Sequence, residues 1–259
     1  GRPDPNYIDK YLSTAILIPY LESALGLKIN TDSLKLFENT RFFVWEKTLD
    51  KGVATQLASK FDYYVDEAFS MSHREETTNF LVPKSINKVA YGLNYEEEIE
   101  FLSKVRDEQN ESPAVCILGG SKAETKVPMV NKLYNKFDAF LIGGKLINED
   151  IDVKEKTLKI FKGKHTEDGL DIDSSSVDFF VQQIKNAKTI LWNGPLGVYE
   201  NPKTAAGTIK ILKAIEQNKD ALKIIGGGDT VDAVEEYGSF KNYSLSSNNF
   251  SFIQWFYPR

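Results

Sequence analysis

The chain has 259 residues, 41% hydrophobic and 27% charged, the balance of an ordinary soluble globular protein with one large or two smaller domains. A net charge of −5 and a pI near 5.3 argue against nucleic acid as the main partner, because phosphate-backbone binding calls for a basic face. One cysteine and two histidines exclude an intrachain disulfide framework and disfavour a zinc site; with no membrane-length apolar run and no signal pattern, a soluble cytoplasmic protein is expected.

The chain opens GRPDPN without an initiator methionine, which fits a processed or incomplete start. Ser13 to Leu25 has helical period and stops at Gly26. Ser33 to Phe37 reads as a strand, Lys47 to Ser59 as a helix, and Asp62 to Asp66 as a strand before a polar loop at Phe69 to Arg74. Tyr95 to Arg106 is a charged helix with Ile99, Leu102 and Val105 at helical spacing. After Pro113 the pattern becomes strand Ala114 to Leu118, helix, strand Ala139 to Ile142, helix, strand Thr189 to Trp192, helix Thr204 to Glu216, strand Leu222 to Ile225, helix. Fully apolar strands alternating with helices imply parallel sheets covered on both faces. The expected organisation is an N-terminal lobe over 1–93, a linking helix over 94–110, and a second lobe over 111–242. From Tyr243 on, a Ser/Asn-rich and then aromatic tail fits no strand–helix unit. Cys116 falls inside a buried strand.

The stretches CILGGSK, FLIGGK, ILWNGPLG and IIGGGDT all place glycine directly after an apolar strand. Ligands of open parallel sheets bind beyond the carboxyl ends of the strands, so four such ends predict one glycine-lined ledge. The triplet Gly226-Gly227-Gly228 costs backbone entropy. Either an anion approaches bare backbone at a helix N-terminus, or the triplet is a tight turn with Asp229 as an ordinary N-cap.

Two familiar phosphate codes fail. A dinucleotide fingerprint from Gly226 needs glycine at Val231, and a P-loop ending at Lys145 needs glycine at Ala139 and a hydroxyl at Leu146. In GGSKAETK, Ser121 and Glu124 read as a capping box starting a helix at Lys122. Lys122 and Lys126 then share one face of its first turns, where cations oppose the helix dipole unless an anion joins them. Two solvated surface lysines are the plainer alternative. Pro128 should kink or end this helix. Asp229 suits a magnesium ion, which takes one or two carboxylates with phosphates and water. Glu200 could accept from ribose hydroxyls or be a lone surface acid, and Trp192 reads as core or ledge wall. In the first lobe Arg2, Arg41, His73 and Arg74 fall in loops or at strand ends. Guanidinium groups grip carboxylate and phosphate bidentately, so the set suits a small doubly anionic substrate, although any one of them could be a plain surface residue.

Taken in order, GRP, LFENTRF, EAFSMSHR, ILGGSKAETK, WNGPLGVYENPKTAAGT and IIGGGDTVDAVEEYG closely resemble phosphoglycerate kinases, from Gly1 to about Gly238. The resemblance implies two Rossmann-like lobes with parallel sheets around a cleft, the first lacking its N-terminal part and the second its C-terminal part. It also implies a monomeric glycolytic enzyme with no nucleic-acid or membrane partner. Such an enzyme transfers a phosphoryl group between 1,3-bisphosphoglycerate and ADP, giving 3-phosphoglycerate and ATP, with Mg2+. Matched by motif, Arg2, Arg41 and Arg74 would bind the phosphoglycerate anion, with Gly1 and His73 beside it. Lys122 and Lys126 would neutralise nucleotide phosphates, Lys122 and Gly228 falling at catalytic positions. Asn193 lies in the nucleotide-binding WNGP stretch, Glu200 would hold the ribose, and Gly227, Gly228, Asp229 and Thr230 would form the phosphate loop with Asp229 at the metal.

The sequence also departs from the family pattern. Lys145 stands for the third glycine of a LIGGG loop, Asp173 for the glycine of a GLDIG turn, and Asp66-Glu67 for Asn-Asp. A strand–helix unit before the GLDID turn looks deleted, and the tail replaces a second glycine-rich loop. The family's Asp-x-Asn substrate motif and its essential arginine precede GRP. These departures imply weakened substrate affinity and little turnover, with a nucleotide-binding relic as the alternative to an active kinase.

Overall fold

The computed structural model describes residues 9–72, 74–107, 110–151, 159–243 and 245–247. The chain divides into two compact units, Gly1–Gly92 and Leu93–Arg259.

In unit 1, the Ser13 hydroxyl accepts from the Ala15 N–H at 3.1 Å and opens a 3-10 turn, Thr14–Leu17. The turn continues as α1 (Ile18–Leu25), and Gly26 closes the helix at φ 65°, a left-handed conformation suited to glycine. The strand expected at Ser33 to Phe37 is absent. Asn30 there adopts φ 62° and its side chain accepts from the Leu36 N–H at 3.1 Å, folding the segment into a loop. The single helix expected from Lys47 to Ser59 is two, α2 (Val44–Lys47) and α3 (Lys51–Ala58). Leu49 turns left-handed at φ 54° between them, and Asp50 caps α3 by accepting from the Val53 N–H at 3.0 Å. β1 (Tyr64–Asp66), a π-helical turn Thr77–Leu81 running into α4 (Val82–Lys84), and β2 (Val89–Tyr91) follow. β1 and β2 pair in parallel, Tyr64 opposite Val89. Ala54, Ala58 and Val82 form a small core with Leu57, Tyr64, Leu81 and Ile86 against it, while Tyr20, Tyr63 and Val65 are 60% exposed or more.

Unit 2 opens with α5 (Leu93–Asp107). Then come β3 (Ala114–Leu118), α6 (Ala123–Leu133), β4 (Ala139–Ile142), β5 (Ile160–Lys162), α7 (Ser174–Lys185) and β6 (Thr189–Asn193). The unit continues through α8 (Ala206–Gln217), β7 (Leu222–Gly226), α9 (Gly228–Tyr237) and β8 (Leu245–Ser247). The sheet runs β5-β4-β3-β6-β7-β8, parallel at every pairing. Every residue of β3, β4 and β6 is buried, as expected of central strands covered on both faces. Trp192, Phe180, Leu191 and Ile215 are among the fully enclosed side chains, so Trp192 is core. Both units are therefore α/β with parallel sheets.

Three expectations change here. Helix α6 does not end at Pro128 but runs five residues past it. Met129, Val130 and Leu133 are buried to 2% exposure or less, and three such side chains outweigh the roughly 3 kcal/mol that an interior proline costs. The Ser121–Glu124 capping box does not form, because the helix begins at Ala123; Lys122 occupies the N-cap and makes no side-chain cap bond. Finally, the tail does contribute a strand. Leu245 pairs with Ile224, so β7, α9 and β8 form one more parallel crossover unit; the remaining tail residues lie outside the described ones. Strand β5 escapes a pattern reading because it is three residues long inside a lysine-rich run. Among the described residues no helix is long and apolar enough to cross a membrane.

Candidate functional site

The four glycine-bearing strand ends belong to β4, β3, β6 and β7, which are consecutive neighbours in the sheet. Their loops bond to one another. The Gly119 N–H donates to Asn193 O at 3.0 Å, Gly120 to Pro195 O at 2.7 Å, Gly144 to Leu196 O at 3.0 Å and Lys145 to Gly120 O at 3.1 Å. Such close backbone approach leaves no room for side chains: a Cβ on Gly119 would lie 2.2 Å from Pro195 O, and one on Gly194 (φ 98°) 2.3 Å from Gly119 O. Thr208, which the sequence reading missed, accepts from the Leu196 and Gly197 N–H groups at 3.0 and 3.2 Å.

Asn193 and Thr230 are turned inward. The Asn193 side-chain amide donates to Gly226 O at 2.8 Å. The Thr230 hydroxyl donates to Gly226 O at 2.8 Å and accepts from the Gly194 N–H at 2.7 Å. Both residues are 1% exposed or less, so their side chains brace the β6 and β7 loops.

Lys126 is no surface lysine. Its ammonium is buried and donates to Gly119 O and, at 3.1 Å, to Asn193 O. Burial pulls its pKa down to about 8; the Asp229 carboxylate opposes this, and the Lys122 charge adds to it. Lys122 and Asp229 are exposed, so a buried cation, an exposed cation and an exposed carboxylate act on one another at the β3–β7 edge.

The glycine triplet divides by position. Gly226 is the last, buried residue of β7, and Gly227 takes φ 92° at the N-cap of α9. Gly228, exposed at the first position of α9, would carry a Cβ with no atom within 4 Å, so the fold itself makes no steric demand for glycine there. Asp229 lies in the first turn of α9 and is not its N-cap. Glu200 is exposed in the loop before α8. Burial raises the Tyr199 phenol to about 12, with the charges of Asp232, Asp229 and Glu200 adding, which puts Glu200 and Asp229 within electrostatic reach of one residue.

Two departures from the family pattern acquire local roles. Lys145 is exposed in the turn Gly144–Asn148. Asp173 caps α7, accepting from the Ser176 N–H at 2.8 Å, and these bonds hold its carboxyl below the usual range. Cys116 is fully buried in β3, which pushes its thiol up and leaves it no nucleophilic role.

In unit 1, Arg41 and Arg74 converge on one carboxylate. Glu76 Oε1 lies 3.9 Å from a terminal nitrogen of Arg41 and 3.7 Å from one of Arg74. Arg41 also lines a pocket of about 330 Å³ with Glu46, Asp66, Asn79 and Glu76. Glu46 is 1% exposed, accepts from the Thr78 N–H at 3.1 Å, and also accepts from the Thr78 hydroxyl. Gly1, Arg2 and His73 lie outside the described residues. Among the described residues no cluster of three His, Cys, Asp or Glu could hold a metal.

A sequence model described as phosphoglycerate kinase matches residues 20–160 and 149–254. The phosphoglycerate kinase of Dictyoglomus turgidum is 34% identical over 251 residues, 78% of this chain and 63% of that protein. That of Acidobacterium capsulatum is 33% identical over 83% of this chain and 65% of its own length. That of Pseudothermotoga lettingae is 30% identical over 94% of this chain and 77% of its length. The chain thus spans less than two-thirds of the first two relatives. The structure of phosphoglycerate kinase from Coxiella burnetii aligns with a TM-score of 0.82 at 22% identity, covering all of this chain and 82% of that one. The Pyrococcus horikoshii enzyme aligns at 0.80 and 20%, covering 99% and 81%; at such identities these two likenesses speak for the fold.

Proposed function

The chain belongs to the phosphoglycerate kinase family, and on that premise we propose that it serves reversible phosphoryl transfer between 1,3-bisphosphoglycerate and ADP, giving 3-phosphoglycerate and ATP. In this reading the carboxyl edge of the unit 2 sheet receives the adenine nucleotide with Mg2+, and unit 1 receives the phosphoglycerate. The chain works as a cytoplasmic monomer in glycolysis.

The observation that supports the nucleotide half is the electrostatic coupling of Lys126, Lys122 and Asp229 beside four interlocked strand-end loops. Phosphoryl transfer needs positioning and charge neutralisation more than covalent help. Lys122 is the exposed cation for the phosphates, and the sterically open Gly228 offers backbone at a helix N-terminus. Lys126, tied to two carbonyls, organises the floor and supplies charge from below. Asp229 fits a magnesium ion, which needs one or two protein carboxylates when phosphates and water complete its shell; bound there, the ion neutralises phosphate charge. Glu200 takes the ribose hydroxyls.

Calorimetry with Mg-ADP tests this reading. Asp229→Ala and Lys122→Ala, both at exposed positions, should each weaken binding about tenfold. Affinity equal to that of the unaltered chain would remove the assignment. A coupled assay in the ATP-consuming direction, at saturating 3-phosphoglycerate, reads turnover directly.

A further inference from the structure

Unit 1 carries its own anion at the arginine pair. We propose that Glu76 is the specificity-determining residue of this unit: its carboxylate occupies Arg41 and Arg74 and competes with the carboxylate or phosphate of an incoming acid. The proposal rests on the reading that unit 1 takes phosphoglycerate.

Three observations carry it. Glu76 is 7% exposed and reaches both guanidinium groups with one oxygen. It is also held in place from its backbone: its N–H donates to Asn79 Oδ1 at 3.0 Å, and the Asn79 amide donates to Met71 O at 3.0 Å and Arg74 O at 3.1 Å. The residue that sets the carboxylate is thus stitched to the loop that carries Arg74.

The third observation is the charge balance. Arg41 lines one pocket with Glu46, Asp66 and Glu76, and Arg74 reaches Glu76. Glu46 and Asp66 are served by other donors: Thr78 bonds Glu46, and the Ala68 N–H donates to Asp66 at 2.9 Å. Glu76 ion-pairs with both arginines. An acid binding there must displace it or share the pair with it, and like charges a few ångströms apart in a half-buried site repel strongly.

Calorimetry with 3-phosphoglycerate at low salt, run on the whole chain, decides the matter. Glu76→Gln keeps the side-chain size and an acceptor oxygen but removes the charge, and should bind at least tenfold more tightly than the unaltered chain. Adding Arg41→Ala to it should abolish the gain. Glu76→Ala, which removes the same charge in a second way, should also bind more tightly; this arm stands even if Glu76→Gln fails to fold. Equal or weaker binding by Glu76→Gln and Glu76→Ala overturns the proposal and leaves the phosphoglycerate reading intact. No binding by any of these proteins removes both.

Discussion

The Lys126 ammonium donates to the main-chain carbonyl of Asn193 at 3.1 Å, joining two residues 67 positions apart. The bond draws the start of α6 onto the end of β6 at the cost of a buried cation, so the lysine belongs to the architecture of the site as much as to its charge.

That placement makes the protein's stability depend on alkaline pH. Burial lowers Lys126 from 10.5 to about 8 in the folded state. Between those values the unfolded chain holds the proton and the folded chain does not, so stability rises as pH climbs from about 8 to 10.5. The full span is worth on the order of 3 kcal/mol. Other groups titrate in this range, so the readout is a difference. Melting temperatures followed from pH 7.5 to 10 should climb more steeply for the unaltered chain than for Lys126→Met. Parallel profiles would show that the buried cation carries no such penalty.

Glycine substitutions should separate structure from binding. Gly119→Ala and Gly194→Ala place a Cβ against backbone oxygen at 2.2 and 2.3 Å, and each should cost 2 kcal/mol or more, as backbone strain and overpacking do. Gly228→Ala meets no atom within 4 Å and lies in a helix, so its melting point should equal or slightly exceed that of the unaltered chain. Its Mg-ADP affinity should nevertheless fall, because the added methyl stands where the nucleotide is proposed to approach. Thermal unfolding and calorimetry on the same three variants give both readings.

Thr230 supports two loops through one hydroxyl. Thr230→Val keeps the shape but orphans the buried Gly194 N–H and leaves the Gly226 carbonyl to the Asn193 amide alone, which should cost about 1–3 kcal/mol. Thr230→Ser restores the hydroxyl and should recover most of the loss. A denaturant titration of the three proteins checks the order; similar midpoints for Val and Thr would mean the bracket is dispensable.

The two units should not melt together. Unit 1 encloses few large side chains and exposes Tyr11 and Tyr20 at 72% and Tyr63 at 64%, whereas unit 2 buries the whole of three adjacent strands. Hydrogen exchange resolved by peptide should find α1 and β1 opening at lower free energy than β3 and β6, and calorimetry should register two transitions. One sharp transition with uniform protection would contradict this.

The sequence was most legible where the chain packs most simply. β3, β4 and β6 are runs of apolar residues that have one place to go, and their bounds agree with the reading to within a residue. Glycine after each strand pointed to the ledge, because close backbone approach demands it. Polar side chains acting on backbone at a distance were harder to foresee. Asn30 turned an expected strand into a loop, Asp50 split an expected helix, and Lys126 went inward despite its charge. Nothing in HREETTNF announces that its second glutamate would face two arginines, one of them 35 residues upstream in sequence. Such contacts are set by tertiary placement, which periodicity does not encode.

β8 lies along the outer side of β7, pairing Ile224 with Leu245, and so relieves the strand that leads into the glycine triplet of being an edge. An uncovered parallel edge of apolar sequence offers a row of unmet N–H and C=O groups to any other chain with the same exposed row. The short Leu-Ser-Ser segment thus serves as a guard against self-association. Cutting the chain after Tyr243 would bare Ile224–Gly226, and light scattering on such a truncation should register concentration-dependent aggregates beyond those of the full chain.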